Sequence, residues 1–277
     1  MTPPGSTLAE QTRSLSRYVT QRPAPEAALR LFCLHHAGGA ASSFRGWQAQ
    51  LGPRVQVVPV QLPGRETRVR EPRPRTMDAL VHELDQALDP FLSDSALQPY
   101  AFYGHSMGAL IGYRLVRHRA AMGASLPSML LVGAHPAPHR PHPLRGVPDV
   151  PQKELARWLS DIGGLSPQLL RHPEWLRWAV DLVRDDLTLT ASHRVHAVGP
   201  VPCPIHVFAG SDDPLVPPAE ASAWAEHSLS SCEVHTIRGG HFFTRDHGMT
   251  DFFDRLAGVL HKGAYLHNRS LLGRTPQ

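Results

Sequence analysis

Apolar residues along this chain fall into two alternating patterns. Short, nearly unbroken runs at 29–34 (Leu-Arg-Leu-Phe-Cys-Leu), 55–60 (Val-Gln-Val-Val-Pro-Val), 99–103, 128–133, 205–209 and 233–237 predict strands. Runs this short and this apolar suit strands covered on both faces. Between them lie segments with helical spacing. Residues 42–51 form one. Thr76 is placed to cap another that runs through 92, with Leu80, Leu84, Leu88 and Phe91 on one face. Further helices are expected from 109 to 116, from 218 to 227 and from 249 to 261. One block breaks the alternation. Residues 134–151 are crowded with proline and histidine, the helical segments 152–162 and 167–194 follow, and 134–200 holds no strand pattern.

A β-α alternation predicts a mainly parallel sheet with helices on both faces. The organisation expected is an N-terminal arm (1–27), one α/β domain (28–261) with a helical insertion at about 135–200, and a polar C-terminal tail (262–277). In such sheets ligands bind beyond the carboxyl ends of the strands, and the segments richest in candidate chemistry lie there.

The chain has 277 residues and a formal charge of +4, with no basic block of five or more, which excludes a nucleic-acid-binding class. Cys33, Cys203 and Cys232 are far apart and odd in number, so buried free thiols are expected and not a disulfide framework. Residues 1–21 lack the apolar core of a signal peptide, and no run is long enough to span a membrane. On these features a cytoplasmic protein is expected.

Gly104-His105-Ser106-Met107-Gly108 has the form G-x-S-x-G and stands between a predicted strand and a predicted helix. That context marks a nucleophile elbow, in which a sharp turn presents a serine and its close neighbours must be small. A serine hydroxyl needs a base, and the base needs an orienting carboxylate, in the chain order Ser, acid, His. After the strand at 205–209 come Asp212 and Asp213; after the strand at 233–237 comes Gly239-Gly240-His241. Asp213 is favoured as the acid because Pro214 biases it towards extended backbone, and Asp212 is the alternative. The oxyanion donors expected are the N–H of Met107 and one from the turn His36-Ala37-Gly38-Gly39, with Ala37 favoured and Gly38 next. His105 flanks the serine and is expected to point away from the reaction. His135, His139 and His142 have a helical look, but Pro136, Pro138, Pro141 and Pro143 interleave them, so no metal is expected there. Neither a cofactor nor a metal is implied. Trp158, Trp175 and Trp178 are read as packing within the insertion, or as lining for an acyl tunnel.

The residues His36-Ala37-Gly38-Gly39, Leu62-Pro63-Gly64-Arg65-Glu66, Gly104 to Ala109, Asp213-Pro214-Leu215-Val216 and Gly239-Gly240-His241-Phe242-Phe243 resemble a known family. This is the stand-alone type II thioesterases of polyketide and nonribosomal peptide synthesis, of the α/β-hydrolase fold. The resemblance spans about 30–260 and extends to the thioesterases of prodiginine pathways. Asp185-Asp186-Leu187 resembles part of that family's lid. The resemblance implies Ser106, Asp213 and His241 as the triad. It implies a substrate held as an acyl thioester on the phosphopantetheine arm of an acyl or peptidyl carrier protein, and an editing role that removes aberrant or stalled acyl groups. The rival readings are a small-molecule carboxylesterase or lipase, a chain-terminating thioesterase, and a non-catalytic α/β-hydrolase-like binding module. The arginine-rich loop 65–75 and the long N-terminal arm depart from the pattern and bear on carrier docking.

Overall fold

The computed structural model describes residues 17–19, 27–93, 99–141, 143, 149–165, 167–194 and 199–272. The expected N-terminal arm, His142 and the last five residues lie largely or wholly outside these. Six strands form one sheet: β1 (Leu29–Leu34), β2 (Val55–Pro59), β3 (Tyr100–His105), β4 (Met129–Gly133), β5 (Ile205–Gly210) and β6 (Cys232–Ile237). They lie in the order β2-β1-β3-β4-β5-β6, every neighbouring pair parallel. Every residue of β1, β3 and β4 is buried, which is why these strands read as apolar runs without alternation.

Helices cover both faces. On one face, α2 (Met77–Leu92) and α3 (Met107–Ala121) place Leu80, Leu84, Leu88, Ile111 and Leu115 against Phe32, Phe102 and Val132. Thr76 caps α2 by accepting the Ala79 N–H. On the other face, α1 (Trp47–Leu51) and α8 (Met249–Leu272) pack Trp47, Phe252 and Leu256 on Leu31, Tyr103 and Phe208.

The insertion carries α4 (Gln152–Asp161), α5 (Pro167–Leu170) and α6 (Pro173–Ala191), and no strand occurs among its described residues. Its own small core consists of Leu155, Leu159, Leu165, Val180, Val183 and Leu187. Trp158 packs against that core, whereas Trp175 and Trp178 lie on its outer surface, contrary to the packing expected of them. Trp175 stacks on His172, and Trp178 lies under the Arg73 guanidinium.

Element ends differ from the sequence pattern where local chemistry intervenes. The single helix expected at 42–51 is a 3-10 turn (Ala41–Phe44) and then α1, divided at Gly46, whose φ is 84°. The helix expected at 167–194 is interrupted after Leu170 and restarts with Pro173 at its first position. The last helix continues to Leu272, eleven residues past the end expected at 261. A short α7 (Pro218–Ala221) precedes a 3-10 segment (Ser222–His227) where one helix was expected.

Candidate active site

The strand order places the chemistry. From β1 the chain steps outwards to β2, then crosses back to β3 and continues the other way. The reversal leaves a crevice beyond the carboxyl ends of β1 and β3, where open parallel sheets hold their ligands. The turn after β1 carries His35 to Gly39, and the turn after β3 carries Ser106.

Ser106 has φ 53° and ψ −118°, outside the ordinary regions for an L-residue. Such backbone costs on the order of 1–3 kcal/mol and persists only where the surroundings enforce it. The Ser106 N–H donates to the Gly133 carbonyl at 2.7 Å, and its carbonyl accepts the Ala109 N–H at 2.9 Å. The serine is therefore pinned between the sheet and the first turn of α3. A Cβ at Gly104 would run into the Gly108 carbonyl, and one at Gly108 into the Leu34 carbonyl. The two glycines of the motif are thus required by close backbone approach.

Asp213 follows β5 and is buried. Its Oδ1 accepts the N–H groups of Leu215 (2.8 Å) and Val216 (3.2 Å), which leaves Oδ2 facing His241 Nδ1 at 2.9 Å. Asp212 is exposed and accepts the Ser211 hydroxyl at 2.8 Å. Of the adjoining aspartates, Asp213 meets His241 and Asp212 stabilises the turn. The carboxylate can only accept, so His241 Nδ1 carries the proton and Nε2 keeps its lone pair. His241, Ser106, Met107 and Ala37 line one cavity, closed over by Trp158, Leu159 and Val183 of the insertion. Its volume is about 30 Å³, space for roughly two waters.

Met107 is the first residue of α3, so its N–H has no acceptor within the helix and lies at the positive end of the helix dipole. The Gly38 N–H is engaged, donating to Asp186 Oδ2 at 2.7 Å. That separates the two candidate donors of the first turn: the Gly38 N–H is taken up by Asp186, and Ala37 lines the cavity.

His105 turns from the cavity, as expected, but it has a task there. Its Nε2–H donates to the His241 carbonyl at 2.8 Å, and its Nδ1 accepts the Tyr103 hydroxyl at 3.0 Å. Burial, with His241 adding to it, lowers its pKa to about 3. A neutral imidazole thus supports the His241 turn from below. Burial likewise pushes His36 well below its ordinary value, with its ring edge-on to Phe242. His35 falls to about 3, chiefly through burial and then through Arg65. Neither the support from His105 nor the engagement of Gly38 by Asp186 was legible in the motif, because both depend on partners distant in sequence.

His135 donates from Nδ1 to the Pro136 carbonyl, and His139 pairs through Nδ1 with His227 Nε2. Those two histidines therefore serve different partners. The described residues with metal-ligating geometry are His206, Glu233 and His235, towards the amino ends of β5 and β6 and away from this crevice. The two imidazoles lie within hydrogen-bond distance of each other beside the Glu233 carboxylate, and burial holds both below the ordinary histidine value. No helix among the described residues is long and apolar enough to cross a membrane.

Residues 29–262 match the model of the thioesterase domain family. Linear gramicidin dehydrogenase LgrE of Brevibacillus parabrevis is 35% identical over 222 residues, covering 79% of this chain and 82% of that protein. The thioesterase RedJ from the prodiginine biosynthetic pathway of Streptomyces coelicolor superposes with a TM-score of 0.78 at 32% identity, covering 93% of this chain and 97% of its own. The type II thioesterase BorB from the borrelidin biosynthetic cluster does so with a TM-score of 0.75 at 34% identity, covering 89% and 97%.

Proposed function

This chain belongs to the thioesterase domain family, and from that premise we propose that it is a type II, editing thioesterase of polyketide or nonribosomal peptide biosynthesis. Its substrate is an acyl group held as a thioester on the phosphopantetheine arm of an acyl or peptidyl carrier protein. It works in the cytoplasm through one α/β-hydrolase domain, residues 28–261, with the insertion at about 135–200 as its lid. The observation that carries the reading is that His241, bonded behind to Asp213, lines one cavity with a serine on a strained elbow.

The chemistry follows from those positions. His241 Nε2 takes the proton of the Ser106 hydroxyl as Oγ attacks the thioester carbonyl carbon. Asp213 holds the Nδ1–H tautomer and stabilises the imidazolium that forms. The N–H groups of Met107 and Ala37 receive the developing oxyanion. The C–S bond breaks, the phosphopantetheine thiolate leaves and takes the proton from the His241 imidazolium, and an acyl-Ser106 ester remains. His241 then draws a proton from water, which attacks the ester, and returns that proton to Ser106 Oγ as the free acid is released. An acyl chain would enter past Trp158, Leu159 and Val183 of the insertion, which line the cavity.

The name of LgrE describes a dehydrogenase, but no redox reading is favoured here. The turn after β1 reads His35-His36-Ala37-Gly38-Gly39-Ala40 and lacks the G-x-G-x-x-G that seats a dinucleotide. The test is hydrolysis of acyl groups from a phosphopantetheinylated carrier protein, beside the matched oxygen ester of the same acid. Faster release from the carrier, abolished by Ser106→Ala in a protein that still folds, supports the reading. Brisk ester cleavage with an inert acyl carrier would replace it with a general esterase.

A further inference from the structure

Asp186 on α6 and Arg65 in the loop after β2 form a bidentate ion pair in the interior. The Nη1–Oδ2 and Nη2–Oδ1 distances are 2.7 and 2.8 Å, and the side chains are 2% and 1% exposed. The pair also grips the turn after β1 from both sides. Asp186 Oδ2 accepts the Gly38 N–H at 2.7 Å, while Arg65 Nη1 donates to the Gly39 carbonyl at 3.3 Å and Nε to the Pro63 carbonyl at 3.1 Å. Gly38 has φ +76°, and a Cβ there would run into Val183, so α6 rests directly on the turn. Neither charged side chain lines the cavity.

Burying two charges is costly, and a well-packed apolar pair of the same volume commonly stabilises a fold as well or better. What an ionic pair adds is direction. It fixes one particular N–H and one particular C=O of the turn, and the N–H before Gly38 is that of Ala37.

We propose that Asp186, neutralised by Arg65, is a positioning residue for the oxyanion-binding turn: by engaging Gly38 N–H it directs the Ala37 N–H at the carbonyl oxygen of the group attacking Ser106. The proposal rests on the serine-thioesterase reading above. The pairing matters to the chemistry as well as the geometry. A carboxylate without its guanidinium would oppose the negative charge that develops on the substrate oxygen. Because Asp186 belongs to the lid, the oxyanion turn is complete only while this part of α6 stays docked.

Two variants test this, Asp186→Asn and the double variant Arg65→Met/Asp186→Leu. The Asn amide, turned either way, sets its NH₂ against a donor, Arg65 Nη2 or Gly38 N–H. The double variant removes both charges and keeps an apolar fill. The measurements are Tm, kcat and KM on an acyl-carrier thioester, and affinity for a trifluoromethyl ketone of the same acyl group, which adds to a serine hydroxyl and presents an oxyanion. The double variant leaves the Gly38 N–H and the Gly39 and Pro63 carbonyls without these partners, so it is expected to stay folded and to melt somewhat below wild type. In the double variant kcat should fall by about ten- to a hundredfold, approaching the loss of one oxyanion donor, with KM within threefold; Asp186→Asn, whose amide oxygen can stay on the Gly38 N–H, should lose less. Ketone affinity should fall in parallel with kcat. A folded double variant with kcat and ketone affinity within twofold of wild type overturns the positioning role and leaves the pair purely structural. The underlying reading fails separately, through turnover retained by Ser106→Ala.

Discussion

Asp213→Asn tests how the acid acts. In the native protein Oδ1 is held by two backbone donors, Leu215 and Val216 N–H, and Oδ2 faces His241 Nδ1. An asparagine in the same place must keep its oxygen towards the two backbone donors. Its NH₂ is then forced to face His241, where it can only donate. Nδ1 must accept, the ring proton moves to Nε2, and the base can no longer take the Ser106 proton. The fold keeps both backbone bonds, so Tm should change little. The chemistry loses the correct tautomer and the stabilised imidazolium together. Where an orienting aspartate of such a triad is so changed, kcat falls on the order of 10⁴-fold, about 5 kcal/mol in the barrier. We expect a loss of about 10³–10⁴-fold in kcat for Asp213→Asn, and no more than twofold for exposed Asp212→Asn, both measured on an acyl-carrier thioester at neutral pH. An Asp213→Asn protein within tenfold of wild type would refute the reasoning, and the reverse ranking of the two aspartates would move the acid to position 212.

Three further outcomes follow from the structure. Gly108→Ala forces a Cβ against the Leu34 carbonyl, an overpacking that costs about 1–3 kcal/mol or more; thermal melting should show a clear fall in Tm, and an unchanged Tm would contradict the close approach. His35 and His105 have folded pKa values near 3, chiefly through burial, against about 6.5 when unfolded. The unfolded chain therefore binds more protons between pH 6.5 and 3, so their contribution is full above pH 6.5 and is lost as pH falls. At pH 5.5 the two together should cost about 3 kcal/mol, read as a Tm lower by roughly 5–10 °C than at pH 7.5, and a pH-independent Tm over that range would contradict their burial as neutral rings. Leu159 lines the cavity beside Ser106, so Leu159→Ala should shift the ratio of kcat/KM for long over short acyl chains by up to about tenfold. No shift would remove Leu159 from the acyl path.

The parts of the site that were legible in the sequence are those written in local chemistry. Gly104-His105-Ser106-Met107-Gly108 disclosed the elbow because two glycines in tight contact leave a pattern that five residues can carry. His241 and Asp213 were legible through position, each just past a strand. The choice between Asp212 and Asp213 rested on one following proline, whereas in the structure it is made by two backbone donors. The strand at 99–103 proved longer because Gly104 and His105 continue the β3–β4 ladder before the turn. The Arg65–Asp186 pair was not legible as a pair. Its members are 121 residues apart, and no local pattern reports which buried carboxylate meets which guanidinium. The same holds for His105, whose value to the site comes from a carbonyl 136 residues away. Trp175 and Trp178 misled because large aromatics are normally buried, and the helix that carries them turns that face outwards.

The central claim is that a carrier-bound acyl group passes through Ser106. Intact-mass spectrometry of the enzyme, quenched in acid during single turnover with an acyl-phosphopantetheinyl carrier protein, measures this directly. The account predicts a transient mass increase equal to the acyl group less one hydrogen, mapped to the peptide that contains Ser106 and absent from Ser106→Ala. Turnover at the same rate with no such adduct on the wild-type protein, or with the adduct on another residue, would contradict it.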